Sequence, residues 1–241
     1  MARHEHPPGY HDVLDDLERP GCPVCQTTRR EAEHSLDTLL YESVSDPGMR
    51  ERLRASHGFC TDHALLALQL AARTADGQAI GVLYSDLLDH IARDARRATT
   101  ARARSPWRRR RSTSDPLRPT APCPICESMQ ARADRYLLLL AQASADEEIG
   151  VAVRRADRGI CAPHLVRGLE LTTRREHADQ LLELFLQAES QIREDVAEYL
   201  RKLDHRFADE PLGREQRSWQ RALLWVTGLP SHTTATTGRD R

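Results

Sequence analysis

The sequence predicts an all-α protein: two tandem pseudo-symmetric helical repeats, each clasped by a zinc site, plus a C-terminal extension. Three observations predict this class. Apolar residues, mostly leucine, recur at three- and four-residue spacing along nearly the whole chain, and no stretch alternates as a strand would. All six cysteines fall into one pattern that occurs twice at a constant offset. Aromatic residues make up only 5% of the chain against 39% hydrophobic, so a core must be assembled from Leu, Ala and Val on helix faces.

The elements follow in order. Residues 10–18 form a short amphipathic helix with Val13, Leu14 and Leu17 on one side, closed by Pro20 and Gly21. Residues 25–43 read as helix through Leu36, Leu39 and Leu40. Asp46-Pro47-Gly48 is a turn, and Asp46 is placed to cap a short helix over 49–56. Residues 61–73 and 80–97 are two more helices, separated at Gly77. The second half repeats the order: helices over 126–145, 147–156 and 163–171, then one long helix over 177–203. Between the halves, residues 98–122 hold Arg108, Arg109, Arg110 and Arg111 with Trp107, amid Pro, Ser and Thr. That composition reads as a basic, low-complexity linker. The expected domains are therefore 1–97, a linker over 98–122, a second repeat over 123–203, and 204–241 as a loop, a short helix at 219–225 and a frayed tail.

The duplicated motif carries the chemistry. The first half has Cys22-Pro23-Val24-Cys25 and Gly58-Phe59-Cys60-Thr61-Asp62-His63; the second has Cys123-Pro124-Ile125-Cys126 and Gly159-Ile160-Cys161-Ala162-Pro163-His164. In both, 34 residues separate the second cysteine from the third, and every position is offset by 101. Ala32, Leu36 and Leu39 align with Ala133, Leu137 and Leu140. Of eleven histidines only His63 and His164 occupy equivalent positions. His34, His57 and His90 align with Arg135, Arg158 and Gln191, and are read as surface or packing residues.

Three thiolates and an imidazole suit a tetrahedral structural zinc. Two residues between cysteines let one turn present both sulfurs, and Cys-x-x-His places both donors on one helix face. The expected ligands are Cys22, Cys25, Cys60 and His63 for one ion, and Cys123, Cys126, Cys161 and His164 for the other, each set from its own half. An iron–sulfur cluster is the alternative for this donor set. Redox-active Cys-Pro-x-Cys pairs are another, although no βαβ context accompanies them. Four protein donors leave no open position of the kind catalytic zinc keeps.

The two motif pairs, with Leu203-Asp204-His205-Arg206 through Pro211-Leu212-Gly213 to Arg221-Ala222-Leu223, resemble an uncharacterised bacterial family of unknown function common in actinobacteria and other thermophilic or soil lineages. The resemblance spans residues 10–228. It implies the same eight ligand positions and no particular activity.

Function classes narrow accordingly. The net charge of −1 excludes a polyelectrolyte. No window approaches a membrane span, and no apolar leader is visible, so a cytoplasmic protein with no membrane partner is expected. There is no Gly-rich phosphate loop, no Gly-x-Ser-x-Gly elbow and no His-Glu-x-x-His, so the reading leans away from an enzyme. It favours a zinc-stabilised binding or scaffold protein. The alternatives are a thiol-based redox or metal sensor, nucleic-acid association through Arg108 to Arg111, and an enzyme using His205, Arg206 and Asp209 of the unrepeated tail.

Overall fold

The computed structural model describes residues 9–19, 21–74, 76–104, 117–143, 147–154, 159–207 and 209–229. They form ten α-helices: α1 Tyr10–Leu17, α2 Pro23–Glu42, α3 Pro47–Ser56, α4 Thr61–Thr74, α5 Gln78–Arg104, α6 Pro124–Ala143, α7 Glu147–Arg154, α8 Ala162–Leu171, α9 Arg175–Lys202 and α10 Ser218–Thr227. No strand occurs among the described residues. None of these helices is long and apolar enough to cross a membrane.

Local chemistry explains the helix starts. Proline opens α2, α3 and α6, where its missing N–H is one the helix would leave unsatisfied anyway. Asp46 caps α3 as its sequence suggests, its carboxylate accepting from the Met49 N–H at 3.0 Å. The expected linker differs from the structure at its start. Helix α5 runs on to Arg104, and Ala98 is buried, because the alanine- and arginine-rich run 92–104 keeps high helix propensity. At the linker's other end, the Thr120 and Ala121 N–H groups donate to the Ala55 carbonyl at the end of α3. Arg108 to Arg111 lie outside the described residues.

The chain divides into two compact units, and they are not its two sequence halves. One contains residues 9–29 and 130–229; the other contains residues 30–129. The boundaries fall inside α2 and α6. Each of these helices has 20 residues, and its two ends belong to different units. Each unit is therefore interleaved from both halves. The first buries Val13, Leu17 and Val24 with Leu137, Leu140, Ile149, Ile160 and Leu181. The second buries Leu36, Leu39, Leu53, Leu66 and Leu83 with Ile125. Each such fully buried leucine contributes about 2 kcal/mol of transfer free energy.

The C-terminal extension packs on α8 and α9 in the first unit. Phe185 of α9 stacks on Trp225 of α10 with ring centroids 4.1 Å apart. Buried Asp195 of α9 accepts from Arg214 at 3.0 Å and from Arg221 at 2.6 Å. Lys202 reaches Glu215 at 2.8 Å, and the Gly213 N–H donates to the same carboxylate at 2.7 Å. The amide and the ammonium together hold the Glu215 carboxyl down at about 2.

Candidate metal centres

Each Cys-Pro-x-Cys pair sits where a helix begins. Cys22 immediately precedes α2 and Cys123 immediately precedes α6, while Cys25 and Cys126 lie in the first turns. The other motif does the same: Cys60 precedes α4, Cys161 is the N-cap of α8, and His63 and His164 follow one turn on. Eight donor side chains thus lie at four helix N-termini, where partial positive charge favours thiolate.

The structure brings these donors together in two sets, and it corrects their expected partition. Cys22 and Cys25 meet Cys161 and His164; Cys60 and His63 meet Cys123 and Cys126. Within each set all donor atoms lie within 4.8 Å of one another. Every centre takes its Cys-Pro-x-Cys from one half and its Cys-x-x-His from the other. The physical reason is the core just described. Val24 is buried with Ile160 and Leu137, whereas Ile125 is buried with Leu36 and Leu53, and each Cys-Pro-x-Cys travels with the apolar residue inside it.

The separations match a tetrahedron around one ion. Zinc bonds of about 2.3 Å to sulfur and 2.0–2.1 Å to nitrogen put sulfurs about 3.8 Å apart and sulfur about 3.6 Å from nitrogen. In the first centre Cys25 Sγ is 3.6 Å from Cys161 Sγ, and His164 Nδ1 is 3.5, 3.4 and 3.1 Å from the sulfurs of Cys22, Cys25 and Cys161. In the second, Cys60 Sγ is 3.6 Å from Cys126 Sγ, and His63 Nδ1 is 3.1, 3.6 and 3.4 Å from Cys60, Cys123 and Cys126. All six cysteines are free of disulfides.

The protonation pattern shows what a cation would do there. Burial raises the Cys22 thiol, but contacts with Cys161, Cys25 and His164 outweigh it and hold it well below the ordinary range. Cys25 is driven the opposite way by sharing hydrogen bonds with Cys161 and Cys22 and by burial. Burial disfavours charge on His164, yet Cys161 and Cys22 bring it up to about 10. In the second centre burial opposes ionisation of Cys123, but His63 and the N–H groups of Cys126, Cys60 and Ile125 bring it to about 6. Burial and the neighbouring Cys123 push Cys126 up to about 12. In each centre one sulfur ionises at the expense of the next, a conflict that a divalent cation resolves by stabilising all three thiolates at once.

Groups outside the ligand sets orient them, and sequence reasoning had not singled these out. His63 Nε2 is 2.9 Å from Met129 Sδ, which leaves Nδ1 aimed at the sulfurs. The Leu229 N–H points at Cys25 Sγ at 3.5 Å, so the end of the extension caps the first centre. His34 is exposed, as expected. His57 and His90, read as surface or packing residues, are half-buried and pack ring against ring, and their donor atoms lie within 4.8 Å of one another and of Asp94. The spacing of His90 and Asp94, four apart on a helix, was a signal available in the sequence. In the tail, His205 is exposed, Arg206 pairs with Asp204 at the surface, and Asp209 is also exposed.

A family of unknown function, DUF6062, matches residues 11–232, and the chain belongs to it. The chain is also 33% identical over 76 residues to an uncharacterised 23.9 kDa protein encoded in the xynA 3′ region of a Caldicellulosiruptor species (strain Rt8B.4). The match covers 32% of this chain and 35% of that protein, so the chain spans about a third of the relative's length. No solved structure matches the chain.

Proposed function

We propose that the protein is a helical binding or scaffold protein whose two units are each held together by one structural zinc ion. The observation that carries this reading is the pair of four-donor clusters, each with three cysteines and one histidine converging at tetrahedral spacing. A single convergence point suits one ion better than an iron–sulfur cluster, in which separate irons take separate cysteines. Four protein donors fill the coordination sphere, so the ion's work is to hold Cys22 and Cys25 to α8, and Cys123 and Cys126 to α4.

Elemental analysis of the pure protein tests the proposal. Two zinc per chain, with loss of helicity on chelation, is the expected result. Iron in place of zinc, or a metal-free protein of undiminished stability, would overturn it. Turnover of a small molecule in a metabolite screen would overturn the scaffold role while leaving the metal assignment intact.

A further inference from the structure

We propose a third metal site, of open coordination, formed by His57, His90 and Asp94. Their donor atoms lie within 4.8 Å of one another in the second unit, and all three residues are half-buried. The geometry is built up from the backbone. Helix α3 ends in a Schellman motif, with the Gly58 N–H donating to the Leu53 carbonyl at 2.8 Å and the His57 N–H to the Arg54 carbonyl at 3.2 Å. That motif places its left-handed residue at position 57, normally a glycine position, and here His57 occupies it with φ 55°. Histidine here takes a left-handed conformation that glycine would adopt without strain.

The chain then presses against α5. A Cβ on Gly58 would lie 2.9 Å from Leu87 Cδ2 and 3.0 Å from the Tyr84 hydroxyl, and the Phe59 N–H donates to that hydroxyl at 3.1 Å. Arg54 grips Asp86 of α5 through two nitrogens at 2.8–3.0 Å. These contacts fix His57 beside the next turn of α5, with its ring edge-on to His90 at a centroid distance of 6.4 Å. Asp94 lies one turn beyond His90, and its Oδ2 is 3.3 Å from His90 Nε2. Donors on one ion with bonds of about 2.1 Å stand roughly 3.0–3.4 Å apart, so that pair is already at ligand spacing. Arg97 holds the other carboxylate oxygen, Oδ1, at 3.4 Å and so orients Oδ2 toward the histidines.

Two imidazoles and a carboxylate favour a divalent transition ion such as zinc, nickel or cobalt over magnesium or calcium. Unlike the cysteine centres, three donors leave positions for water or an exchangeable ligand. The site does not depend on the identity of the ions in the cysteine centres.

The test is titration of the full-length protein, as purified with its cysteine centres filled, with Ni²⁺ by calorimetry, and with Co²⁺ by absorption spectroscopy. The expected result is one additional equivalent per chain. Its Co²⁺ spectrum should lack sulfur-to-metal charge transfer, and paramagnetic broadening should reach the His57 and His90 ring signals. His90→Gln and Asp94→Asn should each weaken that equivalent at least about a hundredfold without changing zinc content or helicity. His57→Gly, which suits the left-handed backbone, should do the same and keeps the test valid if either α5 variant unfolds. No additional equivalent at millimolar metal, or one that survives all three substitutions, would overturn the proposal.

Discussion

The two cysteine centres share donor types, sequence spacing and a position at two helix N-termini, yet they differ in their surroundings. In the first, all three cysteines are buried, with Cys161 fully inaccessible, and the Leu229 N–H closes over Cys25. In the second, Cys60 and Cys126 are half-buried and the added contact is Met129 on the histidine. Among the described residues, one segment touches the first centre alone, through Leu229. The C-terminal extension packs on α8, which carries the first centre's histidine. The eight donors recur at a constant offset of 101, and the extension adds its contact to the first set alone.

The largest effect should come from breaking a centre outright. Structural zinc contributes on the order of 10–16 kcal/mol in small domains, as much as or more than the whole stability of most domains. Cys22→Ser and Cys161→Ser should therefore each abolish one zinc and melt the same set of amide resonances, in the first unit, while Cys60→Ser and Cys123→Ser melt the other set. The double variant Cys22→Ser/Cys161→Ser should be no worse than either single one, and Cys22→Ser/Cys60→Ser should lose both ions. Metal analysis with two-dimensional NMR reads this directly. If Cys22→Ser and Cys60→Ser instead removed the same ion, the interleaved pairing would be wrong.

Release kinetics should separate the centres next. A chelator or mild peroxide needs access to sulfur, and only the second centre offers half-exposed cysteines. The expected outcome is biphasic zinc release with the faster phase assigned to Cys60, His63, Cys123 and Cys126, about tenfold or more ahead of the other. Removing the extension's grip should narrow the gap. A single phase for both ions would show that burial does not govern release.

A smaller contrast involves two aspartates at equivalent positions, Asp94 and Asp195. Asp195 is buried and holds two arginines of the extension. Asp94 pairs with Arg97, whose side chain is 76% exposed. Asp195→Ala should cost about 3 kcal/mol, because a buried charge network loses its centre. Asp94→Ala should cost less than about 1 kcal/mol. Chemical denaturation followed by tryptophan fluorescence and backbone circular dichroism measures both. Equal costs would mean that the extension is not anchored through Asp195.

Much of this was legible beforehand, and its limits have a physical origin. Helix positions follow from leucine spacing and from Pro47, Asp46 and Gly77, and the eight donors follow from a motif that selects His63 and His164 among eleven histidines. The pairing of donors was not legible. A uniform offset of 101 makes pairing within a half and pairing between halves identical in sequence; only the packing of Val24 and Ile125 into different cores distinguishes them. The same offset hid the third cluster. Treating unduplicated histidines as incidental discards His57 and His90; the His90–Asp94 pair is readable from its four-residue spacing, but His57 joins it only when α3 is laid against α5.

The smallest effect has the opposite sign. His57 pays for its left-handed backbone, a conformation in which a Cβ costs about 1–2 kcal/mol and histidine somewhat less. Glycine at 57 removes that strain, but it adds backbone freedom to the unfolded chain and gives up the ring contact with His90. The balance should leave His57→Gly more stable than the natural protein by about 0.5 kcal/mol, measured by denaturant midpoint in the presence of chelator too weak to strip the cysteine centres. With excess Ni²⁺ the order should reverse, because only the natural sequence gains binding energy at His57, His90 and Asp94. A stability order that ignores Ni²⁺ would mean the histidine is kept for packing against α5 alone.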